Sequence, residues 1–184
     1  LARSSLASGC CAEANVAVGL SRRGHQVTYV GRVGDDAFGT VITRKLRGEG
    51  VDVTWLASDP GAPTGVMVRE LRDLGPMEVI YHRAGSAASS VPADEVRSAA
   101  GAFTGAAWLH LTGITPALSP TASAAAIRAR DLARDAGLQV SLDINLRRRL
   151  WSDDAAAPVL RALVAATNVV LGSPDELAVL TGLT

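Results

Sequence analysis

Between Ala12 and Arg23 (AEANVAVGLSRR) apolar positions recur at helical spacing, with Val16, Leu20 and several small residues on one face. Gly24 follows as a stop, so the pattern predicts a helix there. Gln26 to Val30 (QVTYV) reads as a short β-branched strand. Asp36 to Glu49 reads as a second helix, with Phe38, Val41, Ile42 and Leu46 in register, an N-cap at Asp35 or Asp36 and Gly50 as terminator. Val51 to Leu56 is the next predicted strand. The alternation then resumes: strand Ala106 to Leu111, helix Thr121 to Ala136 closed by Gly137, strand Leu138 to Leu142, helix Ala155 to Ala166, strand Val169 to Leu171, and a helix from Pro174 to Leu180. Strands apolar on both faces and separated by helices predict an α/β fold with a mainly parallel sheet covered on both sides. One stretch departs from this rhythm. Gly65 to Leu71 and Met77 to Arg83 alternate like strands and are joined by the polar run Arg72 to Pro76, which predicts a hairpin projecting from the sheet.

Charge narrows the partners. Among the 184 residues, 18 basic side chains balance 18 acidic ones. Without a basic run there is no long-range field for nucleic acid or an anionic membrane surface, which leaves a small molecule as the expected partner. Apolar stretches are broken well short of the roughly 18 residues that span a bilayer. The only cysteines, Cys10 and Cys11, are adjacent, so no disulfide framework or Cys-x-x-Cys knuckle can be drawn; a reducing, cytoplasmic setting is expected. The chain opens on Leu1 and stops at Thr184 just after a helix has begun, and a fragment of a longer domain is expected.

In an open α/β sheet, ligands bind beyond the carboxyl ends of the strands. Four predicted loops lie there: Gly31 to Asp36, Thr112-Gly113, Asp143 to Arg147, and Gly172 to Glu176. Their carboxylates, amides, Arg and Gly suit a phosphorylated ligand with a divalent cation, because Arg grips phosphate in bidentate fashion and carboxylates are hard oxygen ligands. The purely structural alternative is that Asp35, Asp36 and Asp175 cap helices and that Arg147 to Arg149 is a solvated run. G-x-G-x-x-G, the P-loop pattern and G-x-S-x-G are all absent, which disfavours a classical Rossmann or P-loop site and a serine hydrolase. His25, His82 and His110 lack metal-ligand spacing; His25 reads as a turn residue and His110 as half-buried in a strand.

Asn15-Val16-Ala17, Gly24, Gly34 and then Asp35-Asp36-Ala37-Phe38-Gly39 resemble the first signature of the ribokinase-like (PfkB) carbohydrate kinases. Asp143-Ile144-Asn145-Leu146-Arg147-Arg148-Arg149-Leu150-Trp151 resembles the D-x-N-x-R-x-x-L-W segment of the branch holding fructokinases and 2-keto-3-deoxygluconate kinases. Ala12 to Asn15, Pro63-Thr64-Gly65, Tyr81 to Ala87 and His110 to Thr115 are similar to the ketodeoxygluconate kinases in particular. The resemblance implies an incomplete three-layer α/β/α ribokinase-like domain over residues 1–184, with a small β lid at about 64–84.

It also implies roles. Cys11, Ala12, Asn15, Met67, Tyr81, Arg83 and Arg147 would contact the sugar. Asn15 would bond its hydroxyls, and Tyr81 with Arg83 would meet the carboxylate of a sugar acid, a group that fructose lacks. Asn145, Arg147 and Glu176 would lie near the nucleotide or the transferred phosphate, and Glu176 would help to order Mg²⁺ indirectly. ATP and Mg²⁺ are the implied cofactors, and a homo-oligomer formed through the lid is implied by an apolar alternation of Val66, Val68, Val79 and Tyr81. The chain departs from the family pattern in four ways. Cys10 and Cys11 stand where Gly is usual, Met67 replaces a second lid Tyr, Ser173 replaces the Asn of N-x-x-E, and no Gly-rich D-T-x-G-A-G-D segment occurs. That segment carries the catalytic Asp in the family, so this chain alone is expected to lack turnover. The expected activity of the whole enzyme is ATP-dependent phosphorylation of 2-keto-3-deoxygluconate. Another PfkB sugar kinase, such as a fructokinase, and a non-catalytic sugar-binding module are the rival readings.

Overall fold

The computed structural model describes residues 11–70 and 78–182. It forms two compact units, Leu1–Ala87 and Ala88–Thr184. Residue Cys10 and the turn expected at Arg72 to Pro76 lie outside the described residues.

In the first unit the order is α1 (Ala12–Arg22), β1 (Gly31–Gly34), α2 (Ala37–Gly48), β2 (Leu56–Asp59), β3 (Val66–Glu70) and β4 (Glu78–His82). Both helices fall where their periodicity puts them, but their inward faces differ from expectation. Ala14 and Ala17 of α1 are buried and Val18 packs beside them, whereas Leu20 is exposed. Small residues let α1 lie close to its neighbours, and Leu46 and Val51 fill the remaining space. On α2, Leu46 is buried and Ile42 partly so, while Phe38 and Val41 remain exposed.

The expected strands are displaced. β1 and β2 pair in parallel, Gly31 opposite Leu56 through Gly34 opposite Asp59, so four residues read as loop are strand. Gln26 to Val30 and Val51 to Leu56 meet earlier, at the Thr28–Asp52 bridge and through Asp52 N–H to Val27 O and Tyr29 N–H to Asp52 O, both 2.8 Å. They do not continue as a ladder because Asp52 turns the chain: its Oδ1 accepts from Thr54 N (2.9 Å) and from Thr54 Oγ1 (2.6 Å). An Asx-type turn of this kind competes with strand pairing. β3 and β4 form the expected antiparallel hairpin, with Val66 opposite His82 and Met67 opposite Tyr81.

The second unit runs α3 (Ala93–Ser98), β5 (Trp108–Thr112), α4 (Ile114–Leu118), α5 (Pro120–Asp135), β6 (Gln139–Asp143), α6 (Asp153–Val164), β7 (Val169–Leu171) and α7 (Pro174–Thr181), with 3₁₀ turns at Ala87–Ser90 and Ala99–Phe103. Sequence periodicity did not place α3 or α4; both are shorter than two turns, too short to show a repeat. The three strands pair in parallel in the order β5-β6-β7. Their pairing puts Leu109, Leu111, Val140 and Leu142 on one face and Trp108, His110, Ser141 and Asp143 on the other. Only the first is fully apolar: Val140 and Leu142 are buried, whereas Trp108 is 54% exposed. The expectation of strands apolar on both faces therefore holds for one face here. α5 supplies a stripe of buried alanines (Ala122, Ala125, Ala126, Ala129, Ala133) that allows close packing, while Leu160 and Leu163 of α6 close a second cluster around Leu142 and Ile144. His110 is half-buried, its Nδ1 3.0 Å from Ser141 Oγ, and His25 lies in the exposed turn after α1. No described helix is long and apolar enough to cross a membrane.

Candidate functional site

In the first unit the expected sugar contacts fall into two groups. Cys11 is the N-cap of α1: its Sγ accepts from Ala14 N (3.3 Å) and lies 3.3 Å from the Tyr29 hydroxyl. Desolvation, with a smaller contribution from Cys11, holds the Tyr29 phenol well above its usual pKa, so it stays protonated. Ala12 opens the helix, and Asn15 stands exposed one turn in.

The second group lies on the hairpin. The Arg83 guanidinium sits 4.3 Å over the Tyr81 ring, a cation–π stack that fixes the orientation of both groups. Met67 faces Tyr81 across the ladder, so the two share a side of the hairpin, whereas Val66, Val68 and Ile80 lie on the other. The single apolar alternation expected from Val66, Val68, Val79 and Tyr81 is thus divided between two faces. A cleft of about 640 Å³ opens at the hairpin root, lined by Asp36, Phe38, Thr64, Val66 and the run Tyr81 to Ala84. It gathers Tyr81 and Arg83 but takes in none of Cys11, Ala12, Asn15 or Met67. The sequence motifs give Phe38, Thr64 and His82 no role of their own; Phe38 falls in register with the apolar positions of α2, yet it is 49% exposed beside this cleft.

Asp36 settles the choice of cap for α2. Its Oδ1 accepts from Gly39 N and its Oδ2 from Thr64 N, both at 2.8 Å. These backbone donors, Thr64 first and Gly39 next, hold the carboxyl below its ordinary pKa. Arg32, grouped with the phosphate-gripping loops, is instead in β1 and paired with Asp59 at 3.0 Å.

In the second unit the carboxyl ends of β5, β6 and β7 bring together Gly113, the Asp143 to Arg147 segment and Ser173 to Glu176. Three backbone bonds hold the β6 exit: Gly113 N donates to Asp143 O (2.8 Å), Ile144 N to Leu171 O (2.8 Å) and Leu146 N to Glu176 Oε1 (2.8 Å). Asp143 accepts from both the backbone N (3.1 Å) and Nδ2 (3.0 Å) of Asn145, which adopts a left-handed φ of 42°. The Asn145 Oδ1 is buried with no hydrogen-bond partner among the described residues. Arg147 is exposed and, among the described residues, donates only to its neighbour's carbonyl, Leu146 O at 3.2 Å, whereas Arg148 is paired with Asp153. Within the Arg147 to Arg149 run, the exposed Arg147 guanidinium is thus suited to an anion.

Glu176 tests the fit of a divalent cation. Its Oε2 accepts from Ser173 N (2.8 Å) and Ser173 Oγ (3.1 Å), closing a capping box, while Oε1 holds Leu146. Both oxygens are committed to protein donors, and no group of three or more His, Cys, Asp or Glu side chains among the described residues is placed to hold a metal. Direct coordination of Mg²⁺ by this set does not fit.

Residues 12–184 match the profile of the pfkB family carbohydrate kinases. The chain is 39% identical over 174 residues to a 2-dehydro-3-deoxygluconokinase of Thermoproteus tenax, covering 92% of this chain and 52% of that protein. It is 34% identical over 174 residues to a fructokinase of Escherichia coli, covering 94% of this chain and 55% of that protein. The crystal structure of the 2-dehydro-3-deoxygluconokinase from Thermotoga maritima superimposes with a TM-score of 0.87 at 28% identity, over 95% of this chain and 53% of that one. The chain spans about half the length of the curated relatives it matches. Its α/β architecture and its motifs agree with this match from Ala12 onward, and the chain belongs to the pfkB family of carbohydrate kinases.

Proposed function

We propose that this chain is the sugar-binding part of an ATP-dependent kinase that phosphorylates a sugar acid, 2-keto-3-deoxygluconate, on its primary hydroxyl. The observation that carries this reading is the Arg83–Tyr81 stack at the edge of the hairpin-root cleft. A planar guanidinium held by an aromatic face presents its N–H fork in a fixed plane, the geometry that pairs with a carboxylate. Fructose and ribose have no carboxylate to offer. Asn15 donates to and accepts from sugar hydroxyls, and Cys11, Ala12 and Met67 shape the rest of the acceptor site.

At the strand ends of the second unit, Asn145 and Arg147 face the nucleotide side, with Arg147 countering phosphate charge. Glu176 acts there through the backbone it holds. Phosphoryl transfer is chiefly a matter of positioning and charge stabilisation, which is what a fixed loop and an available guanidinium supply. Magnesium belongs to the proposal only as the counter-ion of the nucleotide; no residue described here is assigned to it. No residue of this chain is assigned as the general base, so the 184-residue chain alone binds sugar without turning it over, and ATP-dependent phosphorylation by that chain would refute this part. As part of the same proposal, both units belong to one cytoplasmic kinase domain, the hairpin at 64–84 is its lid, and the hairpin face carrying Val68 and Ile80, 47% and 44% exposed, meets a second copy.

Calorimetric titration tests the substrate. Arg83→Ala is expected to weaken 2-keto-3-deoxygluconate binding roughly a hundredfold, the scale of a lost charge-paired hydrogen bond, and to leave fructose binding nearly unchanged. Equal losses for the two sugars would count against the acid and favour the fructokinase reading.

A further inference from the structure

Two motifs far apart in the chain, Gly34-x-Asp36-x-x-Gly39 and Pro63-Thr64-Gly65, meet at one point. Thr64 is buried, and its Oγ1 accepts from Gly34 N at 2.8 Å while its own N–H donates to Asp36 Oδ2 at 2.8 Å. The other oxygen of the same carboxylate caps α2 through Gly39. The packing is so close that a Cβ on Gly34 would approach Thr64 N and Ala62 O, and one on Gly39 would run into Gly34 O. Only glycine fits at either position without moving the backbone. Thr64 immediately precedes the hairpin. On the return side, Ala87 N donates to Pro63 O (2.9 Å) and Ser86 N to Arg83 O (3.1 Å), and a Cβ on Gly65 would meet Arg83 Cβ at 3.2 Å. Both feet of the hairpin are therefore tied to each other, and the outgoing foot is tied to the end of β1 and the start of α2.

We propose that Asp36 and Thr64 are positioning residues: they anchor the hairpin root and so set where Tyr81 and Arg83 stand in the sugar cleft. Neither side chain needs to touch the sugar. Asp36 commits both oxygens to backbone amides, and the Thr64 hydroxyl is taken up by Gly34. What they fix is the direction in which the chain leaves β1 and α2 for the hairpin, and Tyr81 and Arg83 lie at the far end of that path. The link to sugar rests on the proposed kinase reading; the anchor itself does not.

Thr64→Val keeps the shape and removes the acceptor for Gly34 N, Thr64→Ser restores it, and Asp36→Asn perturbs the same knot from the other side. Amide hydrogen exchange over 66–68 and 79–82, read beside the melting curve, reports the anchor. Titration with 2-keto-3-deoxygluconate and, separately, with ATP reports its consequence. Thr64→Val and Asp36→Asn are expected to speed hairpin exchange about tenfold and to weaken sugar-acid binding about tenfold, with ATP affinity unchanged and Thr64→Ser close to the parent in both. Hairpin exchange unchanged in both variants overturns the proposal, as does an equal loss of sugar and ATP affinity. If the parent protein binds no sugar while Thr64→Val still loosens the hairpin, the anchor stands and the kinase reading falls.

Discussion

Two carboxylates, one in each unit, do similar work at the two places where ligand chemistry was expected. Asp36 caps α2 and reaches across to Thr64 N; Glu176 closes the capping box of α7 and reaches across to Leu146 N. Each ties a helix N-terminus to a loop distant in sequence, and each has both oxygens engaged in doing so. The loops they hold differ. The one beyond Asp36 leads to a cleft whose walls carry an oriented Arg and two exposed aromatic rings. The one beyond Glu176 is held through Leu146 N and keeps Asn145 in a left-handed conformation with its side-chain Oδ1 buried and, among the described residues, without a hydrogen-bond partner. In both places the conspicuous acids build the framework, and an arginine stands nearby, Arg83 in one unit and Arg147 in the other, each assigned to an anionic group only in the proposed function.

Glycine substitutions should break this comparison most severely. A Cβ on Gly39 would strike Gly34 O and one on Gly113 would strike Ile144 O, both backbone atoms that cannot rotate away. Gly39→Ala and Gly113→Ala are each expected to cost about 3 kcal/mol or more, the upper range for overpacking, in denaturant unfolding. A loss under 1 kcal/mol in either would show that its backbone contact relaxes easily.

Removing the carboxylates comes next in size. Asp36→Ala is expected to cost about 2 kcal/mol at neutral pH, the upper range for a lost N-cap, because two backbone donors lose their acceptor. Since the folded carboxyl titrates below its ordinary value, near 3.9 in an unfolded chain, its contribution is present above that value. It fades as pH falls through the lower folded value, so the gap between parent and variant should narrow in acid. Glu176→Gln keeps one carbonyl oxygen and should cost about 1 kcal/mol. A larger loss for Glu176→Gln than for Asp36→Ala would reverse the ranking of the two ties.

The smallest expected effect carries the sharpest contrast. Asn145→Gly removes a buried oxygen that has no partner among the described residues and relaxes a positive φ, at the loss of one bond to Asp143. It should change stability by no more than about 0.5 kcal/mol, and upward if anything. A clear drop in melting temperature would mean that Asn145 serves the fold.

What could be read along the chain follows from the range of each interaction. α1, α2, α5, α6 and α7 were legible because periodicity and terminal glycines are local signals: Gly24, Gly50 and Gly137 all take positive φ where the stops were placed. β1 and β2 were misplaced because their start is decided by the side chain of Asp52 folding back on Thr54, which propensity does not register. The hairpin was legible as a whole, but the division of Val66 and Val68 from Tyr81 needed the register, which is a pairing fact. Asp36 could be named as a cap from its neighbours. That its second oxygen reaches Thr64, 28 residues away, could not, since nothing local marks a partner at that separation.

The strict alternation across β3 and β4 also limits how this part of the chain can change over time. Side chains switch sides with every residue, so inserting or deleting one residue within Val66–Glu70 would swap the faces and bring Val66 and Val68 to the side that carries Tyr81. Point substitutions can retune the Tyr81 side gradually, but changes of length inside the paired strands are tolerable only in twos. Length variation among descendants of this sequence should therefore collect between the strands, with the number of residues from Thr64 to the strand end held constant.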